Sequence, residues 1–162
     1  MKQFKLVFTL ALLTSFIFTS CKKASTTTNT SGSSTWTFDG TNYTGVHTLT
    51  GTESNGSGGE WFFINSDAQN GNLALSVTFN QQPAAGTYTV IDNTSFVSSI
   101  GNTECFILYG STSFQYESNG AAGNKVVVTK NGSKITATFS NISLQEFGTS
   151  AIKPISGTLV EQ

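Results

Sequence analysis

The chain has 162 residues, with eight lysines, no arginine, nine carboxylates and a formal net charge of −1. Nucleic-acid binding draws on clustered Lys and Arg that displace counterions from phosphates, so this composition argues against a nucleic-acid partner. Charged residues make up only 10% of the chain, prolines number two, and Thr, Ser, Gly, Asn and Phe abound, a balance that favours strands and turns over helices.

In chain order, Lys2 and Lys5 precede an uncharged run of 13 residues, 6–18, and then Thr19, Ser20 and Cys21. A charged start, a short apolar core and small residues before a cleavage point form the layout of a secretory signal, here residues 1–20. A bilayer-crossing helix needs roughly 20 apolar residues, so the run is too short for a permanent anchor. Phe18-Thr19-Ser20-Cys21 resembles the lipobox of bacterial lipoproteins, with Phe18 where an aliphatic residue is usual. The resemblance implies cleavage before Cys21 and acylation of its thiol. It also implies export by the general secretion route and a lipid anchor in the outer membrane, on the periplasmic face or the cell surface. Lys22 follows the cysteine, without the aspartate that marks inner-membrane retention by the enteric rule. Loss of the leader leaves 142 residues carrying six basic and nine acidic groups, a net charge of −3. That length suits one domain with a sizeable core.

Residues 21–34 read as the lipidated cysteine and a flexible tether, because the Ser/Thr/Asn/Gly-rich stretch after Ala24 offers no apolar surface to bury. A single domain is expected over 35–162. Trp36 and Phe38 share one face of a first strand, and Asp39-Gly40-Thr41-Asn42 turns the chain. Tyr43, His47 and Leu49 share a face of the next strand. Trp61-Phe62-Phe63-Ile64 and Glu104-Cys105-Phe106-Ile107-Leu108-Tyr109 are continuous apolar runs, as expected of strands covered on both sides. Leu73, Leu75, Val77 and Phe79 alternate with small or polar residues, and Tyr88 with Val90 repeats the pattern. Asn131-Gly132 joins two further strands as a two-residue hairpin, with a register that pairs Val128 with Ile135 and Val126 with Ala137. Alternation slips at Ser140-Asn141, where a bulge is expected, and a last strand follows Pro154. Eight to ten strands with short turns predict an all-β fold: an antiparallel β-sandwich, or alternatively a lipocalin-like β-barrel.

Reactive side chains are few. His47 is the single histidine, so any Ser-His-Asp or Cys-His arrangement must use it. One histidine and one cysteine within a strand do not supply the usual zinc ligands, and no metal or cofactor is expected. With Cys21 acylated, Cys105 has no partner for a disulfide and reads as a small buried hydrophobe. The acids fall mostly in turns and at strand ends. Glu60 beside Trp61 and Glu104 beside Cys105 are the nearest to a hydrolytic carboxylate pair. Asp67 to Asn72 and Glu53 to Gly56 offer oxygen ligands for calcium without the EF-hand spacing. Trp36, Tyr43, Trp61 and His47 are the candidate ligand contacts, since an exposed ring with Asn and Asp nearby suits a sugar face.

Trp36-Thr37-Phe38-Asp39-Gly40-Thr41-Asn42-Tyr43 and Gly86-Thr87-Tyr88 resemble stretches of the small all-β envelope lipoproteins of unknown function in Gram-negative bacteria. That likeness implies no activity. The expectation is a non-catalytic module held at the membrane through acylated Cys21, binding a glycan or another envelope component. A structural or assembly accessory is the alternative, and a hydrolase the reading after that.

Overall fold

The computed structural model describes residues 33–55, 59–69 and 72–162. The leader, Cys21 and residues 22–32 of the tether lie outside these. Ten strands and one short helix follow in order: β1 (Thr35–Phe38), β2 (Thr41–Ser54), β3 (Glu60–Ala68), β4 (Ala74–Phe79), β5 (Gly86–Val90), α1 (Asn93–Ser98), β6 (Glu104–Gly110), β7 (Gln115–Ser118), β8 (Lys125–Asn131), β9 (Lys134–Glu146) and β10 (Ile152–Val160). No helix among the described residues is long and apolar enough to cross a membrane.

The all-β expectation holds, and the strands belong to a single sheet of ten. Hydrogen bonding runs β10-β1-β2-β3-β4-β6-β5-β8-β9, and β9 pairs again with β10. The sheet therefore closes on itself, and its opposite walls pack face to face across one core. The two walls are the layers of the expected sandwich, and the ladders make them continuous with one another. β6 reaches β9 by two routes, through β5 and β8 along one half and through β7 along the other. Ser118 bolts this fork: its hydroxyl accepts from Ile107 N (3.1 Å) and donates to Ile91 O (2.6 Å). One pairing departs from the antiparallel expectation, since β5 and β6 run parallel through Thr89↔Glu104 and Val90↔Cys105. Parallel neighbours need a crossover of a dozen or so residues, and the chain makes it through α1.

The inward residues of the strands form one cluster, including Ile64, Leu75, Val77, Ile107, Ile135 and Leu144, all at or near zero exposure, to which β2 adds the half-buried Tyr43. Alternation drives this: in β4 each second residue, Leu75, Val77 and Phe79, is inside. A second, smaller cluster lies on the outer wall, where Phe96 of α1 stacks on Phe106 (4.3 Å, 17°) and covers Trp61 (4.4 Å). The two-sided apolar runs of β3 and β6 are thus explained by α1, which roofs their outer faces. Cys105 is buried and unpaired, and burial pushes its thiol up to about 12.

Two details of register bear on sequence reading. The β8–β9 hairpin pairs Val128 with Ala137 and Lys130 with Ile135, two residues away from the predicted register. Asn131 stays in the ladder opposite Lys134, so the turn residues are Gly132, at φ 63°, and Ser133. A two-residue slip keeps every side chain on its predicted face. The bulge at Ser140-Asn141 is present: β9 spends two residues there against Ser156 alone on β10. Asn141 takes φ 52° and donates its N–H to the Ser156 hydroxyl (2.8 Å).

Candidate functional site

The barrel has two unlike ends. At one, the chain enters through Ser34, next to the last strand: the Ser34 hydroxyl accepts from Val160 N (2.9 Å) and joins Thr48, which in turn donates to Ser66 (3.0 Å). The far end holds the β1–β2 turn at Asp39-Gly40, the β6–β7 turn after Gly110 and the β9–β10 turn after Glu146. Aromatic rings plug this end from within. Phe38 lies 4.3 Å from Tyr109 and 4.8 Å from Tyr116, and Phe114 leans on the last two. Lys153 closes over them, 2.9 Å from Asp39 and under 6 Å from the Phe38 and Tyr116 rings. The Asp39 carboxylate raises the pKa of the Lys153 ammonium.

Beside this plug is a cleft of about 290 Å³ where three segments meet. The link into α1 contributes Asp92, Asn93 and Thr94; the end of β7 contributes Glu117 and Asn119; the end of β9 contributes Gln145, Glu146 and then Phe147. The segments are fixed to one another by the Ser118 bolt and by a bridge between Asp92 and Asn119. The turn that carries Phe147 is held just as firmly. Phe147 N donates to Gln115 O (2.9 Å), Gln145 Nε2 to Thr149 O (2.8 Å) and Thr149 Oγ1 to Glu146 Oε2 (3.1 Å). Phe147 nevertheless remains 58% exposed, a ring presented to solvent at the rim of a polar cleft.

The acids lining the cleft have different surroundings. Desolvation raises the pKa of Glu117 above the usual carboxylate range. Asp92 caps α1 by accepting from Ser95 N (2.7 Å), which lowers its pKa. A folded-state pKa below the unfolded value means that the cap contributes above the free value of 3.8 and is lost as pH falls through the folded one. Asp92→Ala should therefore lower stability by about 1 kcal/mol at neutral pH. Urea midpoints compared near pH 7 and near pH 3 should show the gap to wild type shrinking in acid.

A second, shallower concavity of about 370 Å³ lies on the outer wall, lined by the neutral side chains of Thr35, Thr37, Asn42, Thr44, Ser156 and Thr158. Thr37 donates to Asn42 (2.6 Å) across it. Trp36 and Tyr43 also line it. Trp36 is 2% exposed and stacks on Tyr43 (5.8 Å, 16°), which is half-buried. The Trp36 Nε1 is buried without a hydrogen-bond partner among the described residues. Trp61 is half-buried under Phe96, and His47 is exposed on β2 opposite Asp67. Of the four sequence candidates, the fold brings Trp36 and Tyr43 together and leaves Trp61 and His47 elsewhere on the wall.

The ring that the fold does present, Phe147, escapes a reading based on alternation. Its signal is compositional: an aromatic residue entering a turn of small uncharged residues, Gly148 to Ala151, has nothing local to pack on. Among the described residues, no three His, Cys, Asp or Glu side chains converge as a metal site would. No protein-family model, curated protein or solved structure matches the chain.

Proposed function

We propose that this chain is a non-catalytic lipoprotein module, anchored in the outer membrane through acylated Cys21, which binds a glycan or another envelope component at the Phe147 cleft. The observation that carries the reading is the exposed Phe147 ring on a hydrogen-bonded turn, set against the side chains of Asn93, Asn119, Gln145 and Glu117. A flat apolar face beside amides and carboxylates is what a pyranose ring engages, stacking with its C–H face and hydrogen-bonding with its hydroxyls. The cleft volume lies at the small end of ligand sites and accommodates about one sugar ring. Its place at the end remote from Ser34 also supports a tethered binder, because the attachment leaves the cleft unobstructed.

A glycan array probed with the mature chain tests this reading. Phe147→Ala should weaken binding to the best ligand by about tenfold, the worth of one aromatic stack. Its melting temperature should stay close to wild type, because the ring is on the surface. An empty array would remove the glycan, and mass spectrometry finding Cys21 unmodified on the mature protein would remove the anchor. A hydrolase reading draws on Glu117 and Asp92, whose surroundings shift their acidities in opposite directions within one cleft. Turnover of any glycan that Glu117→Gln abolishes would establish it in place of the binding module.

A further inference from the structure

β2 outruns its neighbour. Its first residues pair with β1 from Thr41 to Thr44, and the ladder on that side ends with Gly45 N donating to Ser34 O (2.8 Å). On the other side, β2 stays paired with β3 out to Ser54. Among the described residues, the backbone edge from Val46 to Glu53 that faces away from β3 has no ladder partner. Such an edge is a template for a further strand, and folds usually protect it with lysine, proline or inward charge. This stretch, Val46-His47-Thr48-Leu49-Thr50-Gly51-Thr52-Glu53, has neither lysine nor proline. It also carries Leu49, the most exposed large hydrophobic residue described, at 61%.

We propose that a second copy of this chain occupies the edge, the two β2 strands pairing antiparallel about a two-fold axis through Thr50. The sequence is self-complementary in that register. His47 of each copy lies opposite Glu53 of the other, setting an imidazole, a hydrogen-bond donor, against a carboxylate at two places, and Leu49 lies opposite Gly51. His47, Leu49, Gly51 and Glu53 alternate with the inward Thr48 and Thr50, so all four share the outer face, and His47, Leu49 and Glu53 are exposed on it. Gly51 is where the incoming leucine meets an apolar surface. It has no side chain of its own, and the Phe63 ring from β3 lies over it, with a Cβ at Gly51 falling 2.8 Å from that ring. Each Leu49 would thus pack against the Phe63 ring that covers the other copy's Gly51. The interface has an apolar centre between two imidazole–carboxylate pairs, and both chains enter at its seam, since Ser34 is bonded to Gly45 where the free edge begins.

The test uses the full chain in detergent, with single cysteines introduced on β2; native Cys105 is buried and the Cys21 thiol is acylated in the function proposed above, so neither competes. Thr50→Cys places its thiol against its own copy across the axis. The Cα separation of about 4.5–5.5 Å between facing residues is within disulfide reach. Mild oxidation should give a covalent dimer, whereas Thr52→Cys, which faces Thr48 of the other copy, should give little. Sedimentation should show a dimer that Glu53→Lys weakens by about tenfold and that His47→Glu combined with Glu53→Lys restores. A monomer at all concentrations, or equal cross-linking at Thr50→Cys and Thr52→Cys, would overturn the proposal. Either result would leave the edge to upstream residues of the same chain or to solvent.

Discussion

Gly110→Ala should lower the stability of the domain by about 3–5 kcal/mol, read as a drop in urea midpoint with the slope unchanged. Two costs combine. Gly110 has φ 156°, outside the regions that residues with a Cβ adopt readily, and such strain costs on the order of 1–3 kcal/mol. The added methyl would also fall 2.3 Å from Phe114 O and 2.9 Å from the Gln115 Cα. Both obstacles are backbone, which cannot rotate aside as a side chain would, so β6 and β7 must separate where they meet. The effect should reach the candidate site, because Gln115 O accepts the Phe147 N–H. A loss of ligand binding larger than Phe147→Ala itself produces would show that turn and cleft move together.

Tyr109→Ala should cost a similar amount, about 3–5 kcal/mol, as for other large buried aromatics. Tyr109 is fully buried at the centre of the ring plug, within 4.3 Å of Phe38 and 6.1 Å of Tyr43. Tyr109→Phe separates packing from polarity. Burial, with the Tyr43 hydroxyl as the next cause, raises the pKa of the Tyr109 phenol. The hydroxyl therefore stays protonated, and its removal should cost about 1 kcal/mol, the worth of one buried hydrogen bond. If Tyr109→Phe proved as damaging as Tyr109→Ala, the plug would be held by its hydroxyls and not by ring packing.

The sequence foretells the walls of this fold better than its junctions. Period-two alternation in β4 and in the β8–β9 hairpin identifies strands and faces, because one face must leave water whatever the partner strand. Even a two-residue error at Asn131-Gly132 leaves the faces intact, since side chains alternate with period two and an even slip returns each to its own face. The bulge at Ser140-Asn141 is legible for the same reason: two adjacent polar residues break a rhythm that Ile142 and Leu144 resume. Helix α1 is not legible, because six residues hold too little periodicity. Only Asp92, three residues before the Ser95 amide that it caps, hints at a helix start. Missing α1 also obscures why Trp61 is covered on the outer wall. The candidate site is the least legible part, for its lining comes from three segments separated by more than twenty residues each. Their meeting depends on the β5–β6 crossover and the Ser118 fork, and both are tertiary facts.

The pairing of β1 with β10 has a consequence for the order of events in biogenesis. β1 is the first strand described and β10 the last, so the wall between β9 and β2 exists only once the C-terminal residues are available. A polypeptide whose synthesis has not reached Thr158 and Leu159 cannot seal its barrel. Closure of the sheet is thereby postponed until β10 is available to pair with both β1 and β9. Removing residues 152–162 should leave a species that is sensitive to protease, with the edges of β1 and β9 unpaired and open to aggregation.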